Sequence, residues 1–151
     1  MKEILTLIGK KQAKIGYKFR FIGQCSNYNN CKEFLRNICI NNLEKNQVYE
    51  IIEVRKVYHD CIVHFDGVCT VKVKNTPITI AINSKFAHEG AILKYIPIKC
   101  NNEGCKFHEF CVPIEFEKDI EYRCRILKIK DRKKNICSIF PDFSLIEVEK
   151  I

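Results

Sequence analysis

Cysteine is the residue type through which this chain of 151 residues is most able to do chemistry, because it contains ten of them. Eight fall into two sets of four, each with three closely spaced cysteines and a fourth that follows 22 or 26 residues later. Four thiolates are the number that holds a tetrahedral zinc ion or an iron–sulfur cluster. The spacing therefore predicts two four-cysteine metal sites. The first cysteine set is Cys25, Cys31, Cys39 and Cys61, and the second is Cys100, Cys105, Cys111 and Cys137.

The alternative for both sets is pairing as disulfides or burial as reduced thiols. The chain carries no recognisable secretory signal and no apolar run long enough for a membrane span, so we expect a cytoplasmic protein. Clustered cysteines are more often metal ligands in that compartment, although intracellular disulfides occur in hyperthermophiles. A bound metal could also serve only to hold together loops that do not fold without it.

The spacing within the sets bears on the metal. Structural zinc sites usually contain pairs of cysteines separated by two to four residues. The first set has no such pair, and the second has only Cys100 and Cys105, at the upper limit. An iron–sulfur cluster is wider than a single ion, so its ligand loop can be looser. We therefore favour two 4Fe–4S clusters, with two zinc ions as the alternative.

The two sets belong to an internal repeat. Their corresponding cysteines are separated by 75, 74, 72 and 76 residues, and Ala13–Gly16 is separated from the similar Ala87–Gly90 by 74. Each half closes with alternating apolar and charged residues, at Val71–Lys74 and Ile146–Glu149. Landmarks that agree in the same order predict a tandem duplication, with repeats at 1–75 and 76–151. No linker-like segment lies between the repeats, so we expect them to share one core.

Most of each repeat is typical of β-strand, with β-branched runs bounded by turn residues. The cysteine-rich loops, Cys25–Asn46 and Cys100–Lys118, are expected to be irregular, with one helical turn at Cys31–Ile38. The pattern predicts a mainly β chain, a tandem-duplicated β-barrel or sandwich with two irregular cysteine-rich metal-binding loops. The predicted strands are Leu5–Ile8, Tyr17–Ile22, Val48–Val57, Ile78–Ile82, Ala91–Ile98 and Ile120–Ile129, and one more at the end of each repeat.

Three residues near the sets need separate interpretations. His64 follows Cys61 by three residues and is a candidate alternative ligand, or a neighbour that tunes the first site. Cys69 and Cys124 have no cysteine at the equivalent position of the other repeat, so we expect both to be buried thiols rather than ligands.

The formal charge of +8 favours a nucleic acid or another acidic partner. Two four-thiolate metal sites would lower it to about +4, which weakens this indication. A solvated cap on a hairpin is the preferred interpretation of one basic run, and a nucleic-acid contact is the alternative. That run comprises Lys128, Lys130, Arg132, Lys133 and Lys134.

No phosphate-binding glycine loop, nucleophile elbow or His-Glu-x-x-His motif is present. An enzyme with an open iron position would need one set to lack its fourth cysteine, and both sets are complete. The sequence therefore favours a protein that transfers electrons or senses redox state together with an unknown protein partner. It favours neither an enzyme nor a membrane protein. The alternative is a zinc-stabilised module that binds RNA, the ribosome or another protein.

Several stretches resemble an uncharacterised archaeal protein family, family 0179, over essentially the whole chain. The resemblance implies two cysteine clusters that have been suggested to be iron–sulfur redox centres, with no assigned activity. It also implies the same eight ligands, although the spacing from Cys25 to Cys31 is longer than it leads us to expect. The stretches are Thr6–Gly9, Ala13–Gly16, Cys31–Phe34, Asn37–Cys39, Tyr49–Arg55, Cys61–His64 and Asp66–Val68.

Overall fold

A computed structural model of the chain describes residues 2–23, 30–61 and 63–151. The chain folds into two compact units, the first ending at Thr76 and the second beginning at Pro77. The first unit contains β1 (Glu3–Gly9), β2 (Lys18–Arg20), α1 (Glu33–Cys39), β3 (Val48–His59) and β4 (Val68–Asn75). The second contains β5 (Ile78–Asn83), β6 (Ile92–Tyr95), α2 (His108–Cys111), β7 (Tyr122–Lys134) and β8 (Asp142–Lys150).

Each unit is built on one four-stranded antiparallel sheet. The strand order is β1-β4-β3-β2 in the first unit and β5-β8-β7-β6 in the second, which is the same topology. The helix of each unit packs against the first strand of its sheet, α1 on β1 and α2 on β5. The prediction of a mainly β chain is confirmed, and the shared topology is what a tandem duplication produces. A barrel or sandwich, and one core shared by the repeats, stay predictions.

The repeat extends to individual hydrogen bonds. Gly16, at φ +89°, and Gly90, at φ +83°, occupy the left-handed region that glycine adopts without steric cost. The Gly16 N–H donates to the Ile51 carbonyl over 2.8 Å, and the Gly90 N–H donates to the Ile126 carbonyl over 2.8 Å. These glycines therefore form the same turn onto the third strand of each sheet, which explains why both repeats carry glycine there.

Alternation along the strands separates two layers in the second unit. Ile80 on β5 and Ile146 on β8 are fully buried in its main apolar core. Ala81 and Phe143, on the opposite faces of the same strands, belong to a second cluster together with Phe107. One face of the sheet thus carries the core, while the other carries the loop that contains α2.

The β-bulges and the strand pairing show which residues of the two repeats are equivalent. The pairing of β3 with β4 shifts between Ile51 and Glu53, and that of β7 with β8 shifts between Ile126 and Lys128. In this register Tyr49 pairs with Asn75 as Cys124 pairs with Lys150. The equivalent of Cys124 in the first unit is therefore Tyr49, which agrees with the expectation that no cysteine stands there.

Strand ends differ from the predicted bounds. β6 is an edge strand and stops at Tyr95, before Pro97, whose ring nitrogen has no hydrogen to donate. β7 continues to Lys134, five residues beyond the predicted end, because it pairs with β8 as far as Asp142. The short helix α2 was not predicted, since four residues are too few to show helical periodicity.

Replacing Ile126 by alanine should lower the free energy of unfolding by about 2–5 kcal/mol, because its side chain is 1% exposed in the core and leaves a cavity. Urea denaturation measures the change. Ile129→Ala is the matched control on the same strand: its side chain is 36% exposed, so we expect a loss of less than about 1 kcal/mol. Equal losses in the two variants would contradict the burial described above.

Candidate metal centre

The second cysteine set lies around α2 and the hairpin between β7 and β8. Cys100 follows β6, Cys105 precedes α2, Cys111 is its last residue, and Cys137 lies in the hairpin loop. Successive turns shape the loop: the His108 N–H donates to the Cys105 carbonyl over 3.0 Å. All four are partly buried thiols that are not joined in disulfides.

Three of these cysteines pack against a cluster that contains two phenylalanine rings. Cys105, Cys111 and Cys137 pack against the cluster formed by Ala81, Phe107 and Phe143. The rings of Phe107 and Phe143 meet edge to face, with centroids 5.3 Å apart. Residues from β5, β8, the loop and the hairpin therefore meet on one face of the sheet.

The four thiols also interact electrostatically. Burial raises the pKa of Cys111 to about 11, and negative charge on Cys100, Cys105 and Cys137 contributes to the increase in that order. Such a contribution requires the other three sulfur atoms to be near the Cys111 sulfur. Three members of the set, Cys105, Cys111 and Cys137, thus pack on one cluster, and charge on Cys100 also affects Cys111.

The donor set fits a thiophilic metal, since a metal ion holds clustered thiols as thiolates and offsets their mutual repulsion. Within residues 2–23, 30–61 and 63–151, however, no three His, Cys, Asp or Glu side chains are arranged to hold a metal ion. The fit therefore rests on the chemistry and the convergence of the thiols, and the sulfur atoms would have to move to coordinate one.

Positive charge and an unsatisfied polar atom lie in the same region. The Lys106 ammonium is 5.1 Å from the centre of the Phe107 ring. The Nδ1 atom of His108, in α2, is buried without a hydrogen-bond partner in the described part of the chain. Sequence reasoning missed Phe107, which packs with these cysteines, because one aromatic residue in a loop gives no periodic signal.

The first cysteine set is described only in part, because Cys25 lies outside the described residues. Cys31 precedes α1, Cys39 is its last residue, and Cys61 lies in the loop between β3 and β4. These positions correspond to those of Cys105, Cys111 and Cys137 in the second unit. The first unit therefore presents its three described cysteines on equivalent elements.

His64 lies beside the fourth cysteine of the first set. Its Nδ1 is 3.5 Å from the sulfur of Cys61, and the Val63 N–H donates to the same sulfur over 3.4 Å. The imidazole also approaches Gly9 so closely that a Cβ there would lie 2.8 Å from the His64 ring. His64 is thus positioned to influence Cys61, and its role as a ligand or tuning residue stays a prediction.

The two remaining cysteines are buried, as predicted. Cys69 is 2% exposed and its thiol donates to the Arg55 carbonyl over 3.0 Å. Cys124 is fully buried in the main core of the second unit, where burial raises its pKa to about 11. Their positions among core residues explain why neither belongs to a cysteine set.

The basic run lies within β7 rather than at the hairpin turn, which corrects the prediction of a hairpin cap. Arg132 donates two hydrogen bonds to the Asp142 carboxylate, over 3.0 and 2.7 Å, and holds the pKa of Asp142 well below its usual range. Lys130 lies 3.6 Å from a carboxylate oxygen of Glu147, and Lys133 lies 2.7 Å from one of Asp131. These ion pairs offset much of the positive charge that a nucleic acid would contact.

Within the described residues, no helix is both long and apolar enough to cross a membrane.

Comparison with known proteins identifies relatives along most of the chain. The profile of the Uncharacterised protein family (UPF0179) matches residues 4–148. A UPF0179 protein of Methanocaldococcus jannaschii is 43% identical over 107 residues, which cover 71% of this chain and 70% of the relative. One from Methanosarcina barkeri is 32% identical over 146 residues, covering 96% and 93%. No solved structure matches the chain. The chain therefore belongs to the Uncharacterised protein family UPF0179.

Proposed function

We propose that this protein binds two metal centres through its cysteine sets, one in each unit, and that these are iron–sulfur clusters used in electron transfer or redox sensing. The observation that carries the proposal is the packing of Cys105, Cys111 and Cys137 on the cluster that contains two phenylalanine rings. Negative charge on the other three members of the set, Cys100 included, also affects Cys111. Ionising thiols that lie this close together is unfavourable without a metal, since each thiolate raises the cost of ionising the next.

The residues around the second set suit a redox centre. A cluster bound there supplies one-electron chemistry, and the thiolates hold it in place. Phe107 and Phe143 exclude water from one side, while the Lys106 ammonium offsets part of the site's negative charge. Solvent exclusion and nearby charge are two of the factors that set the potential of such a centre.

Zinc is the alternative metal for the same ligands. A zinc-stabilised module that binds RNA has less support, because Lys130, Arg132 and Lys133 each lie beside a carboxylate. The looser spacing of the first set also favours a cluster over a single ion.

Anaerobic purification tests the proposal. We expect brown protein with broad absorbance near about 400 nm, and iron and acid-labile sulfide in amounts that correspond to two clusters per chain. Colourless protein with about two zinc ions per chain would assign the same ligands to zinc. Protein that takes up neither metal under reducing conditions would refute the metal-binding proposal.

A further inference from the structure

The loop between β3 and β4 directs two nitrogen atoms at the sulfur of Cys61. Nδ1 of His64 lies 3.5 Å from this sulfur, and the Val63 N–H donates to it over 3.4 Å. The loop then turns back toward β4, because the Gly67 N–H donates to the His64 carbonyl over 2.9 Å. The sulfur of Cys61 therefore lies within hydrogen-bonding distance of an imidazole as well as of a backbone amide.

Gly9, the last residue of β1, leaves the space that the His64 ring occupies. A Cβ at this position would lie 2.8 Å from Cδ2 of the imidazole and 3.4 Å from its Nε2. The backbone of Gly9, at φ −53° and ψ 137°, is one that any residue adopts, so only the neighbouring ring requires glycine there. The Lys10 N–H also donates to the Gly67 carbonyl over 3.4 Å, which ties the same loop to the end of β1. The end of β1 thus contacts the edge of the imidazole opposite Nδ1.

The second repeat has other residue types at both of these positions. Asn83 stands where the first repeat has Gly9, since each is the last residue of its first strand and precedes a short 3₁₀ helix. Phe140 follows the fourth cysteine of its set by three residues, as His64 does. The contact between glycine and histidine therefore belongs to one repeat, and it distinguishes the first cysteine set from the second.

We propose that His64 donates a hydrogen bond from Nδ1 to the sulfur of Cys61 when that sulfur is a metal-bound thiolate, and that Gly9 positions the ring to do so. The inference rests on the proposed function of the cysteine sets. A thiolate accepts a hydrogen bond better than a thiol does, and an outer hydrogen bond to a ligand strengthens metal binding. The first centre therefore holds its metal more tightly than its thiolates alone would. His64 and Gly9 are positioning residues, because both act on the metal through Cys61.

Titration of metal-free, reduced protein with Co²⁺ tests this inference in a Cys111→Ser background, which confines binding to the first set. His64→Ala should weaken Co²⁺ binding about 10- to 100-fold and shift the sulfur-to-cobalt charge-transfer band, because the donor is removed. Gly9→Ala should weaken binding similarly, because its methyl group displaces the ring. In the double variant Gly9→Ala should add no further loss, since the ring that it displaces is absent. His64→Asn should keep most of the affinity, because its side-chain amide can donate from a similar position.

Gly16→Ala is the matched control, because Gly16 lies in the same unit at φ +89° and the described part of the chain has no atom within 4 Å of a Cβ there. It should lower the urea midpoint and leave the Co²⁺ affinity unchanged. Unchanged affinity in His64→Ala, or a further loss when Gly9→Ala is added to it, would overturn the inference. So would tight binding in Cys25→Ser together with loss of binding in His64→Ala, which would make His64 the fourth ligand. Failure of the parent Cys111→Ser protein to bind one Co²⁺ ion would instead refute the proposed function.

Discussion

Replacing Cys111 by serine is expected to remove one metal centre per chain and to leave the other in place. Negative charge on each of the other three members of its set contributes to the raised pKa of Cys111. Zinc sites of four ligands are worth about 10–16 kcal/mol, so loss of one ligand costs about 3 kcal/mol, or more than about 100-fold in affinity. Metal analysis of the purified variant, together with its visible spectrum, gives the number of centres that remain.

Cys124→Ala is the control for this variant. It removes another thiol from the second unit, but Cys124 belongs to the main core on the other face of the sheet. We expect Cys124→Ala to lose stability and to keep both metal centres. Retention of two centres by Cys111→Ser, or loss of one in Cys124→Ala, would show that the second set is assigned wrongly.

Removing the metal is expected to lower the midpoint of thermal unfolding by about 8–16 °C. A ligand at 1,000 times its dissociation constant stabilises the folded state by about 4 kcal/mol, and in a chain of this size 1 kcal/mol corresponds to about 2–4 °C. The loop between β6 and β7 contains only the four-residue helix α2 as regular structure, and its other backbone hydrogen bonds close short turns. The metal would supply the missing cross-links.

Calorimetry of metal-loaded protein and of protein treated with a chelator under reducing conditions measures this difference. Cys111→Ser serves as the internal control, because its second centre is already absent and chelation should lower its midpoint by less. Identical midpoints for loaded and chelated wild-type protein would mean that metal does not bind the folded state preferentially. A metal role in folding would then be excluded.

Much of the architecture was predictable from the residues alone. The β-branched runs and the turn glycines, Gly16 and Gly90, recur in both repeats at nearly the same spacing. Such local patterns predict strands and turns directly. Cysteine spacing also grouped Cys105, Cys111 and Cys137, which pack on one cluster in the structure. The Cys25 assignment remains a prediction, because that residue lies outside the described part of the chain.

Neighbours across strands were not predictable, because register depends on bulges and loop paths that local patterns do not specify. The shift between Ile126 and Lys128 places Cys124 opposite Lys150, in a position equivalent to Tyr49. The carboxylate partner of Arg132 likewise follows from a contact between separate strands. Residue types and spacing thus gave the strands and the grouping of the cysteines, whereas the packing of the chain assigned each polar side chain its surroundings.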